Sequence, residues 1–127
     1  VPAWDSDTVL TNDPEQEASL IYYRTRAGLE DRVYRIEHTH APSATPPPRT
    51  IHLVGTIDIV EAQAGIVKVE ANWVCHWVWR KEFRTYAGRY DYELRENLGN
   101  RASFIIQKKR IVVINDVIPT VMDVWHI

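Results

Sequence analysis

Five histidines, one cysteine and a scatter of carboxylates are the residues of this 127-residue chain that could do chemistry. Two histidines and one carboxylate can hold a non-haem iron with positions open to oxygen, so each histidine has to be weighed. His38 and His40 lie two apart where a helix should end, and a C-terminal cap is the simpler role for both. His52 and His76 fall on the more polar faces of neighbouring strands. With Asp58 they form a candidate acid/base group in a concave sheet, while a hydrogen-bonded structural pair is the plainer alternative. His126 sits one residue from the last and reads as a packing or interface residue. Cys75 stands among Trp73, Trp77 and Trp79, the setting of a small core residue and not of a nucleophile. The aromatic run Trp73, Trp77, Trp79, Tyr86, Tyr90 and Tyr92 suits a ligand cavity, but equally a core or an interface. The five glycines are too scattered for a phosphate loop, and no GxGxxG, P-loop, HExxH or GxSxG pattern occurs.

The elements that must position these residues follow from hydrophobic period. Residues 1–17 are rich in Pro, Asp, Asn and Thr and read as an irregular loop anchored by Trp4. Ser19–Tyr23 is a short β-prone run. Leu29, Val33 and Ile36 then recur at helical spacing, with Arg24, Arg26, Arg32 and Arg35 mostly off that stripe. Four prolines between 42 and 48 forbid regular hydrogen bonding and predict an extended surface loop. Beyond it the period drops to two. Ile51, Leu53, Ile57 and Ile59 alternate with polar residues, and Gly65 marks a turn. Val67, Val69, Ala71, Trp73, Cys75, Trp77 and Trp79 share one face of a long strand, as Tyr86, Tyr90, Tyr92 and Leu94 do in the next. NLGNR predicts a hairpin turn. The last strand, SFIIQKKRIVVIN, has unbroken apolar ends that predict burial on both faces there. One helix followed by four sequential strands is an α+β arrangement: a curved antiparallel sheet with the helix closing one side.

Composition narrows the class. Fifteen Lys and Arg against seventeen Asp and Glu give a net charge of −2 with no basic stripe, which argues against nucleic acid. The apolar stretches fall far short of the ~20 residues that cross a bilayer. A lone cysteine forms no internal disulfide and suits a reducing cytoplasm. A Rieske [2Fe–2S] centre needs two cysteines and two histidines, so this chain cannot hold one. The start at Val1, without a methionine and in what reads as a turn, is taken as an N-terminal truncation.

Read in order, VPAWDSD, SLIYY, RAGLEDRVYRI, RTIHLV, YAGRYDYELRE and KKRIVVINDVIPTVMDVWHI resemble the small (β) subunits of Rieske-type aromatic-ring-hydroxylating dioxygenases. IYYRTRAGLEDRVYRI and INDVIPTVMDVWHI place the resemblance in the benzoate, toluate and anthranilate branch. It implies a single NTF2-like domain over 1–127, a cone of α+β type, with a further N-terminal helical segment ahead of Val1. It also implies a partner α subunit that carries the Rieske cluster and a mononuclear Fe(II), three α and three β subunits forming a hexamer. In such an enzyme both atoms of O2 add to an aromatic ring, with electrons from NADH delivered by a reductase through the α subunit. On this reading the chain is a scaffold with no catalytic, cofactor or metal site of its own. The alternative is a stand-alone NTF2-like dehydratase or isomerase working from the cone's mouth, with Tyr23, His52, Asp58 and His76 as its polar groups.

If the chain is a scaffold, its functional residues are those that meet other subunits. Ile118, Val121, Met122, Val124, Trp125 and Ile127 form an apolar tail that needs cover, from the chain's own core or from a neighbour. The expectation is that the tail packs at the contact between β subunits, around the trimer axis. Trp4, Asp5, Arg32, Arg35, Trp125 and Ile127 are the expected interface residues.

Overall fold

A computed structural model describes residues 1–38, 45–97, 99, 103–119 and 121–127. Among them are one α-helix, α1 (Arg26–His38), and a short hairpin of β1 (Trp4–Ser6) and β2 (Val9–Leu10). Four long strands follow: β3 (Arg49–Gln63), β4 (Ile66–Trp79), β5 (Glu82–Glu96) and β6 (Phe104–Val113). They pair antiparallel in sequence order, β3-β4-β5-β6, so β3 and β6 are the edges. The architecture is the expected α+β one: a curved, unclosed antiparallel sheet with one helix beside it.

The turns explain the meander. Ala64 and Gly65, both at positive φ (51° and 77°), link Gln63 to its partner Ile66 by the two-residue connection whose twist matches that of antiparallel strands. Arg80 and Lys81 do the same between Trp79 and Glu82, at φ 48° and 70° without a glycine. Arg80 offsets part of that cost by stacking over the Trp79 ring, 4.1 Å from its centroid, and donating to the Thr45 carbonyl at 3.0 Å. The NLGNR turn lies largely outside the described residues.

Alternation places the core on one face of the sheet. Ala71, Trp73, Cys75 and Trp77 of β4 are buried there beside Tyr86 and Tyr90 of β5 and Ile111 and Val113 of β6. Gly88, between Trp73 and Val113 in the ladder, has no room for a side chain: a Cβ there would come 1.8 Å from the Val112 carbonyl oxygen and 3.2 Å from Trp73 Nε1. The two ends of β6 behave differently. Ile111, Val112 and Val113 are buried on both faces as expected, whereas Phe104, Ile105 and Ile106 are exposed.

Three local expectations are corrected. Residues 1–17 contain the β1–β2 hairpin, because Thr11 ties the loop together: its side chain accepts from Ala3 N and donates to the Ala18 carbonyl. Trp4 does anchor this segment, its Nε1 donating to the Val113 carbonyl at 2.7 Å. Ser19–Tyr23 is no strand; only Ser19 forms a bridge, to Pro2, since both edges of the main sheet lie elsewhere. The helix forms where expected but buries no residue, and Leu29 and Val33 of its apolar stripe are about half exposed.

Candidate functional site

The inner face of the sheet, with its aromatic run, and the C-terminal turn seated on it form the candidate site. Register decides what the histidines can do. His52 pairs with Cys75 and therefore shares the inner face, whereas His76 pairs with Ile51 on the outer face. A bulge at Thr56, whose φ is 49°, then reverses the parity of β3, so that Asp58 pairs with Glu70 on the outer face. Asp58 and His76 are thus six β4 positions apart, roughly 20 Å at strand rise. The expected His52–His76 pair and the acid/base group with Asp58 do not exist. His76 instead bonds Thr85 Oγ1 at 3.0 Å and stacks on Phe83. Tyr23 lies against Gly28 at the start of α1. The four groups of the dehydratase or isomerase alternative are therefore not brought together.

Burial, first, and the charge of Lys109, second, hold His52 below its usual pKa. Lys109 is the cation of this face: its Nζ lies 4.0 Å from the Tyr90 ring centroid and 5.4 Å from that of Tyr92. Desolvation lowers its own pKa and pushes Tyr90 up to about 12. Cys75 is fully buried, its thiol pushed up to about 11 by desolvation, and its Sγ donates to the Trp125 carbonyl at 3.5 Å. It is a core residue. No group of three His, Cys, Asp or Glu able to hold a metal occurs among the described residues. A single buried cysteine beside aromatic rings does not fit a Rieske cluster.

The chain's own tail also packs on the inner face. Val124–His126 form one 3-10 turn, capped by Asp123. The Asp123 side chain accepts from Val124 N at 2.7 Å, and the Asp123 N–H donates to His126 Nδ1 at 2.9 Å. The His126 ring packs 5.4 Å from Trp77 and edge-on 4.9 Å from Tyr86, measured between centroids. Burial, helped by the nearby Arg84 charge, lowers its pKa to about 4. Arg32 reaches from α1 to the Asp123 carboxylate, with Nε 3.1 Å from Oδ1. The tail's first cover is therefore this chain's own core, through Asp123, His126 and the partly buried Met122 and Ile127. Asp123 and His126 were missed as a pair in the sequence; their Asp-x-x-His spacing was the available signal.

Of the expected interface residues, Arg32 is committed to Asp123, while Trp125 and Ile127 remain partly exposed. Trp4 is 42% exposed although its ring nitrogen is bonded, and Asp5 and Arg35 are exposed. His38 caps α1 as expected, its Nδ1 3.0 Å from the Tyr34 carbonyl. His40 lies outside the described residues.

Residues 1–120 match the family described as ring hydroxylating beta subunit. The chain belongs to that family. This beta subunit is 35% identical over 127 residues to the 2-halobenzoate 1,2-dioxygenase small subunit of Burkholderia cepacia, covering all of this chain and 75% of that one. It is 36% identical over 128 residues to the benzoate 1,2-dioxygenase subunit beta of Acinetobacter baylyi, covering 73% of it. Among solved structures, the beta subunit of the benzoate 1,2-dioxygenase of Burkholderia mallei superposes with a TM-score of 0.73 at 30% identity, over 99% of this chain and 73% of that one. The branch expected from the sequence is the one these relatives represent.

Proposed function

We propose that this beta subunit is the non-catalytic scaffold of an aromatic-ring dioxygenase acting on a carboxylated ring. The observation that carries this reading is the match along the whole chain to small subunits of benzoate-type dioxygenases. The failure of His52, Asp58 and His76 to converge supports it, since no alternative active site assembles from them. The iron and the Rieske cluster belong, on this reading, to a large α subunit that binds the ring and receives electrons from NADH through a reductase. The assembly is an α3β3 hexamer in the cytoplasm. No helix among the described residues is long and apolar enough to cross a membrane.

The exposed parts of Trp4, Asp5, Arg35, Trp125 and Ile127, with the Arg32 helix, are the proposed contacts to other subunits. The deciding experiment is co-expression with a large subunit carrying CxH and CxxH motifs, followed by size-exclusion chromatography and iron analysis. Co-elution, with iron found only when the large subunit is present, is expected. Stoichiometric iron in the isolated chain, or ring oxidation by it alone, would overturn the scaffold reading. Trp125→Ala should weaken assembly by about 2 kcal/mol if Trp125 is an interface anchor, with the circular dichroism of the isolated chain preserved.

A further inference from the structure

We propose that His126 is a protonation-sensitive latch that docks the C-terminal turn on the sheet and, through Asp123, holds helix α1 in place. The ring nitrogen Nδ1 faces both backbone groups of Asp123. In the capping box Nδ1 accepts the Asp123 N–H at 2.9 Å, which puts the neutral ring's proton on Nε2, and the Asp123 carbonyl lies 3.0 Å from the same nitrogen. A second proton would have to enter at Nδ1, the acceptor itself. The doubly protonated ring has two donors and no acceptor, so it gives up the Asp123 N–H bond of the capping box, and its Nδ1–H is left with the Asp123 carbonyl alone.

Burial, first, and the Arg84 charge, second, oppose that charge. Trp77 of β4 and Tyr86 of β5 flank the ring, and Cys75 of β4, neutral at ordinary pH, bonds the adjacent Trp125 carbonyl. Arg84 of β5 supplies a like charge; its own pairing is with Glu82. The Asp123 carboxylate of the turn is already gripped by Arg32 of α1. His126 Nε2 is buried with no acceptor among the described residues. A proton is therefore accommodated by leaving: the ring swings out to water, and the turn goes with it.

Helix α1 follows for a separate reason. It buries no residue and leaves Leu29 and Val33 about half exposed, and Arg32 ties it to Asp123 of the turn. Undocking the turn releases both together, while the β4–β5 ladder, 14 residue pairs in continuous register, persists. The direction with pH follows from linkage. The folded pKa of about 4 lies below the free value of 6.5, so docking is at full strength above pH 6.5 and is lost as pH falls toward 4. Each pH unit across that window favours the open form tenfold, roughly 300-fold in all.

The test uses the full chain, with hydrogen exchange and the His126 ring resonances followed from pH 7.5 to 4. Expected are an Nε2–H tautomer at neutral pH and a common rise in opening of residues 26–38 and 123–127 as pH falls, with β4 and β5 still protected. His126→Gln, which keeps an acceptor but does not titrate, should abolish the pH dependence of that opening. Arg32→Gln should free the helix at every pH and leave the titration of the turn in place. A ring that titrates near 6.5 without opening the turn, a helix that opens independently of the turn, or loss of the whole sheet in one step would each overturn the latch. Should the glutamine variant fold poorly, the ring titration and exchange of the unaltered chain decide by themselves.

Discussion

Arg32 of helix α1 and Asp123 of the C-terminal turn, 91 residues apart in sequence, form the ion pair that closes this fold. The carboxylate is buried and the guanidinium three-quarters so. Removing the cation leaves a buried anion without its counter-charge, whereas removing the charge on both sides leaves little behind. Arg32→Ala should destabilise the chain by about 2–4 kcal/mol in urea denaturation. The double change Arg32→Ala with Asp123→Asn should recover part of that loss; a double mutant as weak as the sum of the singles would show that the two residues act separately.

Gly88 tolerates no side chain. The backbone carbonyl of Val112 occupies the space a Cβ needs, and Trp73 closes the other side. Gly88→Ala must push β5 from β6 or tilt the Trp73 ring, a cost of about 3 kcal/mol or more. Gly55→Ala, at a position with nothing among the described residues within 4 Å, is the control and should change the melting temperature little.

The Arg80–Lys81 turn carries stored backbone cost that glycine relieves. Lys81 sits at φ 70°, where a Cβ is unfavourable, so Lys81→Gly should raise stability by about 0.5–1 kcal/mol. Arg80→Gly should give no such gain, because it forfeits the stack on Trp79 and the bond to Thr45. Thermal denaturation of the two variants side by side reads the difference.

Cys75 should be inert to thiol reagents while the chain is folded. With its thiol pushed up to about 11 and no surface exposed, its thiolate at pH 8 is roughly a hundredfold scarcer than that of an ordinary cysteine, and access requires opening of the sheet. Stoichiometric labelling in guanidinium against slow labelling in buffer is the expected contrast. Rapid labelling of the native chain would mean that the C-terminal turn leaves the inner face far more readily than its contacts imply.

The sequence alone determined whatever depends on local period and on residue counts. Alternation in β4 and β5 placed Trp73, Cys75, Trp77, Tyr86 and Tyr90 on the buried face, and helical spacing found α1. One cysteine was enough to deny a Rieske centre. What only the tertiary structure decided is whatever depends on register and on contacts across the chain. A single bulge at Thr56 moved Asp58 away from the face of His52, because one extra residue flips every side chain beyond it. Bulges leave no mark in a pattern read one strand at a time, so the pairing of His52 with His76 looked open until β3 and β4 were aligned. The hairpin within residues 1–17 was hidden for a similar reason, since its order comes from Thr11 and from Trp4 reaching Val113 at the far end of the chain. The apolar tail was legible as needing cover. That part of the cover is the chain's own core, through Asp123 and His126, followed only from folding, which brings Arg32, Trp77, Tyr86 and residues 123–127 to one place.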